Sequence, residues 1–353
     1  MSSLRPSESK PADVSPNTVQ MCRITPHGLS LIQIMVSTAN LPVIDVHAFR
    51  HADAAASTKI AEAVVRACEE WGFFYVNRHG IPEAVLGNAR RVALEFFRGP
   101  GEIKKKVHIS QVPHHRGYVG HYDVSPDVQK GGDIREAYKV ALELPEDDPD
   151  FLAGITMYGP NIWPQEYPEF QQHVYRLYES FLDLSADIFD LFAVGLGLPR
   201  GYFVPMAAKP ASVMNVNYYP ATSVSGSDTS GIGAHSDYEA FAMLWQDDVG
   251  GLQIQSLEGD WQAVQPLDGT LVINIGDLMS RWTNDRFRAT RHRVINKSGK
   301  ERMSVACFGN TNFHAMIECL PSCCSAENPA RYPPVTSGEY LMDAVRRTYA
   351  YAS

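Results

Sequence analysis

Gly233-Ala234-His235-Ser236-Asp237-Tyr238 sets an imidazole and a carboxylate two residues apart. In extended backbone such residues point to the same side, so His235 and Asp237 can grip one ion from one strand end. A second histidine, His292, lies far downstream. Two histidines and one carboxylate make the facial set that holds non-haem Fe(II) while leaving positions open. An H-x-D pair alone also suits a surface pair or a hydrogen-bonded His–Asp couple, so its surroundings carry the reading. A third ligand from a distant strand is what a closed β-barrel would supply.

Those surroundings are specific. Arg302 and Ser304 share one face of an apparent strand running to Phe308. Arginine offers planar, two-pronged recognition of a carboxylate that lysine cannot match. A strand-borne Arg302 pointing into a barrel demands an anion, the alternative being an internal salt bridge. Upstream, Asn217-Tyr218-Tyr219-Pro220 brings an amide and a phenol just before the metal pair.

Short strands separated by turn residues fill the second half, at 212–219, 233–246, 251–256, 261–265, 270–275, 291–296 and 302–309. Such density, with ligands near both ends, predicts an α+β, mainly β chain built on a double-stranded β-helix, or jelly roll. Before it, residues 55–71 carry Ile60, Val64, Cys68 and Trp71 at helical spacing, and Pro82 opens a second helix. A long amphipathic helix runs from about Pro168 to Leu196, and another closes the chain near 337–349. Residues 98–165, rich in Gly, Pro, His and Asp, predict loops. The expected organisation is a poorly ordered extension over 1–40, a helical and mixed region over 41–205, the β-helix over 206–315 and a closing segment over 316–353. Met35, just ahead of the first strand, is compatible with an internal start.

Composition excludes several classes. With 353 residues, 44% hydrophobic and 20% charged, the chain is an ordinary globular one. A net charge of −9 disfavours nucleic-acid or anionic-membrane partners. No apolar run reaches the length of a membrane span. Six cysteines fit no disulfide framework, which points to a reducing, cytoplasmic location.

The ordered motifs Asn217–Pro220, Gly233–Tyr238, Gly250–Ile254, Val272–Asp277, Arg291–Val294 and Arg302–Ser304 resemble the isopenicillin N synthase-like family of 2-oxoglutarate- and Fe(II)-dependent oxygenases. Leu41–Asp45, Trp71–Tyr75 and His79–Ile81 extend the resemblance, so that it covers about residues 41–345. It implies Fe(II) on His235, Asp237 and His292, 2-oxoglutarate and O2 as co-substrates, and Arg302, Ser304 and Tyr219 on the far carboxylate. Asn217 would touch the co-substrate or satisfy barrel backbone. Asn215, Phe308, Tyr118 and Glu239 are candidates for a small-molecule pocket. Phe308 would stack a substrate or serve the core. Glu239 would suggest a basic or hydroxylated substrate if inward, although a solvated turn position is the expectation. His114, His115 and His121 are expected at the surface. The implied reaction oxidises an unactivated C–H bond by hydroxylation, desaturation or cyclisation, with release of succinate and CO2, in a monomer or homodimer. A 2-oxoglutarate-independent oxidase, an ethylene-forming enzyme and a non-catalytic metal scaffold are the alternatives.

Overall fold

The structure is a computed structural model describing residues 18–25, 28–35, 37–121, 135–221 and 231–348. β1 (Thr18–Thr25) and β2 (Gly28–Met35) pair as an antiparallel hairpin. This regular pairing falls within the 1–40 stretch expected to be poorly ordered, and residues 1–17 lie outside the described ones. β3 (Val43–Asp45) runs into α1 (Val46–His51), where Asp45 accepts from the Ala48 N–H at 2.8 Å. Asp53 caps α2 (Ala54–Glu70) in the same way, satisfying a donor that the first turn leaves unpaired. β4 (Phe73–Asn77) follows, then α3 (Glu83–Phe97), which begins directly after Pro82. α4 (Gly101–Lys106), β5 (Gly117–Val119), β6 (Glu136–Ala141) and α5 (Pro149–Leu152) occupy the stretch expected to be loops. α6 (Pro168–Gly195) stops where Gly197 takes φ +73°, a left-handed conformation that glycine adopts without steric cost.

The barrel strands are β7 (Val213–Tyr219), β8 (Gly231–His235), β9 (Phe241–Gln246), β10 (Leu252–Gln255), β11 (Trp261–Ala263) and β12 (Thr270–Ile275). After α7 (Asp277–Trp282) come β13 (His292–Ile295) and β14 (Arg302–Gly309), and α8 (Ser337–Thr348) closes the described chain. The expected single strand over 233–246 is broken. Its middle, between β8 and β9, is the loop that carries Asp237.

Two sheets result, one in the order β3-β4-β12-β9-β14-β7-β6-β5 and the other β11-β10-β13-β8. Their inner faces share one apolar cluster: Phe73, Tyr75, Tyr219 and Val272 of the large sheet meet Leu252, Ile254 and Val294 of the small one. This face-to-face burial closes the jelly roll. The outer face of the large sheet, with Tyr138, Val140, Met214, Val216, Met303 and Val305, packs on Val64, Phe96, Phe170 and Phe192 from the helices. A continuous helical layer thus braces the sheet that bears half the site.

Phe96 anchors that layer. It is fully buried and meets the rings of Phe97, Tyr118, Tyr138, Tyr167 and Phe170. Phe96→Ala is expected to cost about 3–5 kcal/mol through lost burial and the cavity left behind. Urea unfolding would check it, a loss below about 1 kcal/mol being incompatible with this packing.

Candidate metal centre

His235 ends β8 and His292 opens β13, and the two are direct register partners across the small sheet. Their ring centroids are 4.4 Å apart. Asp237 Oδ1 lies 3.5 Å from His235 Nε2 and 3.7 Å from His292 Nε2. One potential ligand atom from each of the three falls within 4.8 Å of the others, the only such metal-ready group among the described residues.

Hydrogen bonds aim these atoms. His235 Nδ1 lies 2.8 Å from the Gly233 carbonyl, and His292 Nδ1 lies 3.2 Å from that of Thr290. A carbonyl only accepts, so each Nδ1 carries the proton and each Nε2 presents its lone pair to the centre. Asn274 Nδ2 donates to Asp237 Oδ2 at 2.6 Å, which leaves Oδ1 for the ion. The ring edge of Phe73 closes the apolar side against His292.

Gly276 fixes the carboxylate's loop. Its N–H donates to Ala240 O at 3.0 Å, and the Asp277 N–H donates to Asp237 O at 2.8 Å. A Cβ at Gly276 would lie 2.1 Å from the Glu239 carbonyl oxygen, so only glycine permits this approach.

The electrostatics favour a cation. Burial opposes ionisation of Asp237, yet the two imidazoles and the Asn274 bond hold its carboxyl well below the usual range. Burial also disfavours a charged His235, but the Asp237 carboxylate outweighs it and raises this imidazole. His292 is pushed down to about 4, chiefly by burial, so its ring is neutral at physiological pH. A divalent ion would replace the proton that Asp237 attracts to His235. Asn274→Leu should therefore weaken metal binding by roughly 10–100-fold, because Asp237 loses the partner that orients it. Competition with a colorimetric chelator would measure this, and an unchanged affinity would remove Asn274 from the centre.

A second feature lies on the inner face of the large sheet. Arg302 is only 1% exposed. Its Nε donates to Gly250 O, Nη1 to Ser304 Oγ at 3.1 Å and Nη2 to Gln246 Oε1 at 3.4 Å. The guanidinium lies 4.7 Å from the ring centroid of Tyr219, its register partner. Among the described residues no carboxylate lies within salt-bridge distance of it; the Asp247 carboxylate, which feels its charge, is engaged by the Met303 N–H. Arg116 shows that burial alone does not define an anion site, since carbonyls of His114 and Met157 hold its fork. Next to Arg302, however, the Tyr219 hydroxyl is buried with no hydrogen-bond partner. Leaving such a group unmet costs about 1–3 kcal/mol, which a bound acceptor would remove.

The remaining candidates separate by face. Asn217 Oδ1 accepts from Arg135 Nη1 at 2.5 Å, and its Nδ2 donates to Asn215 O at 3.3 Å. Asn215 and the partly buried Phe308 lie on the Arg302 face, like Asn217. Glu239 is partly buried rather than in the solvated position expected for it. Burial and the Asp237 charge raise its carboxyl to about 7. Tyr118 lies elsewhere: it pairs with Tyr138 on the outer face and donates to Glu136 at 2.7 Å, within the helix-packed core. His114 is buried against Pro160 O rather than at the surface.

Two cations escaped the sequence reading. Arg135 precedes β6 and exerts its charge on His235. Lys139, 8% exposed, pairs in register with Asn215. Glu136–Ala141 is buried on both faces and shows no polar–apolar alternation, and its charges resemble loop composition, so no periodic signal was available.

Comparison with known proteins agrees with this geometry. Residues 41–166 match the N-terminal family described as non-haem dioxygenase in morphine synthesis, and residues 210–311 match the 2OG-Fe(II) oxygenase superfamily. The chain is 33% identical over 317 residues to the 2-oxoglutarate-Fe(II) type oxidoreductase hxnY of Emericella nidulans, covering 88% of this chain and 91% of that one. It is likewise 33% identical to homoarginine-6-hydroxylase 2-ODD-C23.1 of Arabidopsis thaliana, with 88% and 98% covered. A full-length Neurospora crassa protein solved in complex with alpha-KG superposes with a TM-score of 0.77 at 28% identity, over 87% of this chain and 95% of that one. The same protein with alpha-KG and thymine gives 0.75 at 26% identity, over 87% and 96%. The chain belongs to the 2-oxoglutarate- and Fe(II)-dependent oxygenases. It is an oxidoreductase that uses Fe(II) and 2-oxoglutarate and acts on small molecules.

Proposed function

We propose that His235, Asp237 and His292 bind Fe(II), that Arg302, Ser304 and Tyr219 hold the far carboxylate of 2-oxoglutarate, and that the enzyme hydroxylates a small nitrogen-containing molecule. One observation carries the co-substrate assignment: a buried guanidinium with no carboxylate at salt-bridge distance, beside a buried hydroxyl without a partner, on the sheet facing the three ligands. The donor set fits both groups. Nε2 lone pairs and a carboxylate suit a divalent ion, and a fork with a hydroxyl suits a carboxylate. When bound, iron and 2-oxoglutarate supply an oxidant for the C–H bond, with release of succinate and CO2.

The protein's own share is placement and exclusion. Gly233 and Thr290 carbonyls keep the imidazole protons away from the centre, and Asn274 turns the carboxylate toward it. Phe73, Val272, Leu252, Ile254 and Val294 keep water from the inner side. Two relatives support the substrate class, one named for homoarginine and one solved with thymine, both small and nitrogen-containing. A cytosolic setting is supported by the five described cysteines, all free, and no described helix is long and apolar enough to cross a membrane.

Anaerobic titration with Fe(II) and then 2-oxoglutarate tests the assignment. A weak visible charge-transfer band should appear, and succinate should follow on admission of O2. Bound iron without a band would sink the co-substrate reading in favour of a 2-oxoglutarate-independent oxidase.

A further inference from the structure

The Arg302 clamp and the His235–His292 pair sit on different sheets, and one short turn joins those sheets beside both. β9 ends at Gln246 in the large sheet, and β10 begins at Leu252 in the small one. Residues 247–251 make the crossing. On one side, Arg302 Nη2 donates to Gln246 Oε1 and its Nε to Gly250 O, so the turn wraps the guanidinium. On the other, Gly251 O accepts from the Ile295 N–H at 2.9 Å, on the strand that opens with His292. Ile254 of β10 is the register partner of His292. Gly251 takes φ +98°, and a Cβ there would lie 2.6 Å from Ile295 O, so only glycine permits this approach.

Asp247 marks the point where the chain leaves the large sheet. Its N–H donates to Met303 O at 3.2 Å, the next rung of the β9–β14 ladder after Gln246 and Ser304. In a continued antiparallel ladder the Asp247 carbonyl would accept the Met303 N–H in return. The side chain takes that place: Oδ2 accepts the Met303 N–H at 2.6 Å, and Oδ1 accepts the Val249 N–H at 3.2 Å. One carboxylate, only 9% exposed, thus holds the residue between Arg302 and Ser304 and also the turn that carries Gly250. Being charged, it makes stronger bonds than a neutral acceptor would. We propose that Asp247 is a positioning residue that sets the span between the Arg302 clamp and the metal centre, and so selects the chain length of the co-substrate. It acts through Arg302 and Gly250 rather than on the co-substrate itself. A five-carbon 2-oxo diacid matches the span, and a six-carbon one exceeds it. This rests on the Fe(II) and 2-oxoglutarate reading above.

The test compares 2-oxoglutarate with 2-oxoadipate, one methylene longer, by anaerobic titration of the Fe(II)-loaded enzyme into the visible charge-transfer band. The unaltered enzyme should need at least about tenfold more 2-oxoadipate for half the band. Asp247→Ala should raise the half-saturation for 2-oxoglutarate roughly ten- to hundredfold. The ratio between the two acids should fall about fivefold or more, because a loosened clamp accommodates the longer chain. Fe(II) affinity, read by chelator competition, should be unchanged. A residue that merely stabilised the fold would lower the unfolding temperature and leave the ratio as it was. Asp247→Asn, which keeps an acceptor but loses the charge, should fall between the two, and its ratio decides the question if the alanine variant does not fold. A ratio unchanged in a folded variant, a comparable loss of Fe(II) affinity, or no discrimination by the unaltered enzyme overturns the assignment. Absence of the band with either acid in the unaltered enzyme overturns the underlying co-substrate reading instead.

Discussion

Arg302→Ala is expected to weaken 2-oxoglutarate binding by about 30- to several-thousand-fold, while Fe(II) binding is retained. Truncating one member of a buried, hydrogen-bonded charge pair costs about 2–5 kcal/mol, and each 1.4 kcal/mol is tenfold in affinity. Two features put the effect at the high end. Arg302 is 1% exposed, so water cannot take over its role, and the Tyr219 hydroxyl would remain unmet behind it. Ser304 Oγ and Gln246 Oε1 would lose their donor as well. Arg302→Lys should fall between the two, keeping a charge but losing the planar fork. The anaerobic visible titration reads this directly as the co-substrate concentration needed for half the band. A half-saturation unchanged in Arg302→Ala would remove Arg302 from the co-substrate site.

Asp237→Ala should abolish tight Fe(II) binding and turnover together. It removes the sole anionic ligand and leaves two imidazoles facing one another at a centroid separation of 4.4 Å. His235 would also lose the partner that raises its proton affinity. In the unaltered protein, an ion at a hundred times its dissociation constant should stabilise the fold by about 2.7 kcal/mol, since it binds only the folded chain. The rise in unfolding temperature on adding Fe(II) under nitrogen should vanish in Asp237→Ala. The metal-free variant should fold as before, because Asp237 sits in a loop rather than in either apolar cluster. An equal metal-induced shift in both proteins would place the iron elsewhere.

Much of this centre was legible along the chain because the chemistry is local. His235 and Asp237 are two residues apart, and Arg302 and Ser304 share a strand face by simple alternation. The helices were legible for a similar reason: Val64 and Cys68 in α2, Ala89, Val92 and Phe96 in α3, recur at the period that buries one face. What failed was the wall at Arg135 and Lys139. β6 is buried throughout, charges included, so it lacks the polar–apolar contrast that betrays a half-buried strand. Tyr118 failed in the opposite way. Its position near the pocket region was plausible, but register alone decides the face, and β5 pairing turns it toward the helices.

By itself, the sequence determined the candidate ligand types, the sharing of one strand face by Arg302 and Ser304, the main helices and the class of chemistry, since residue identity and short-range periodicity are properties of the chain. Only the tertiary structure decided that His292 lies beside His235 and that Tyr219 stacks under Arg302. It alone left Glu239 partly buried and set Lys139 against Asn215. The physical reason is strand register: a slip of one residue sends every side chain of a strand to the opposite face, and register is set by partners far away in sequence.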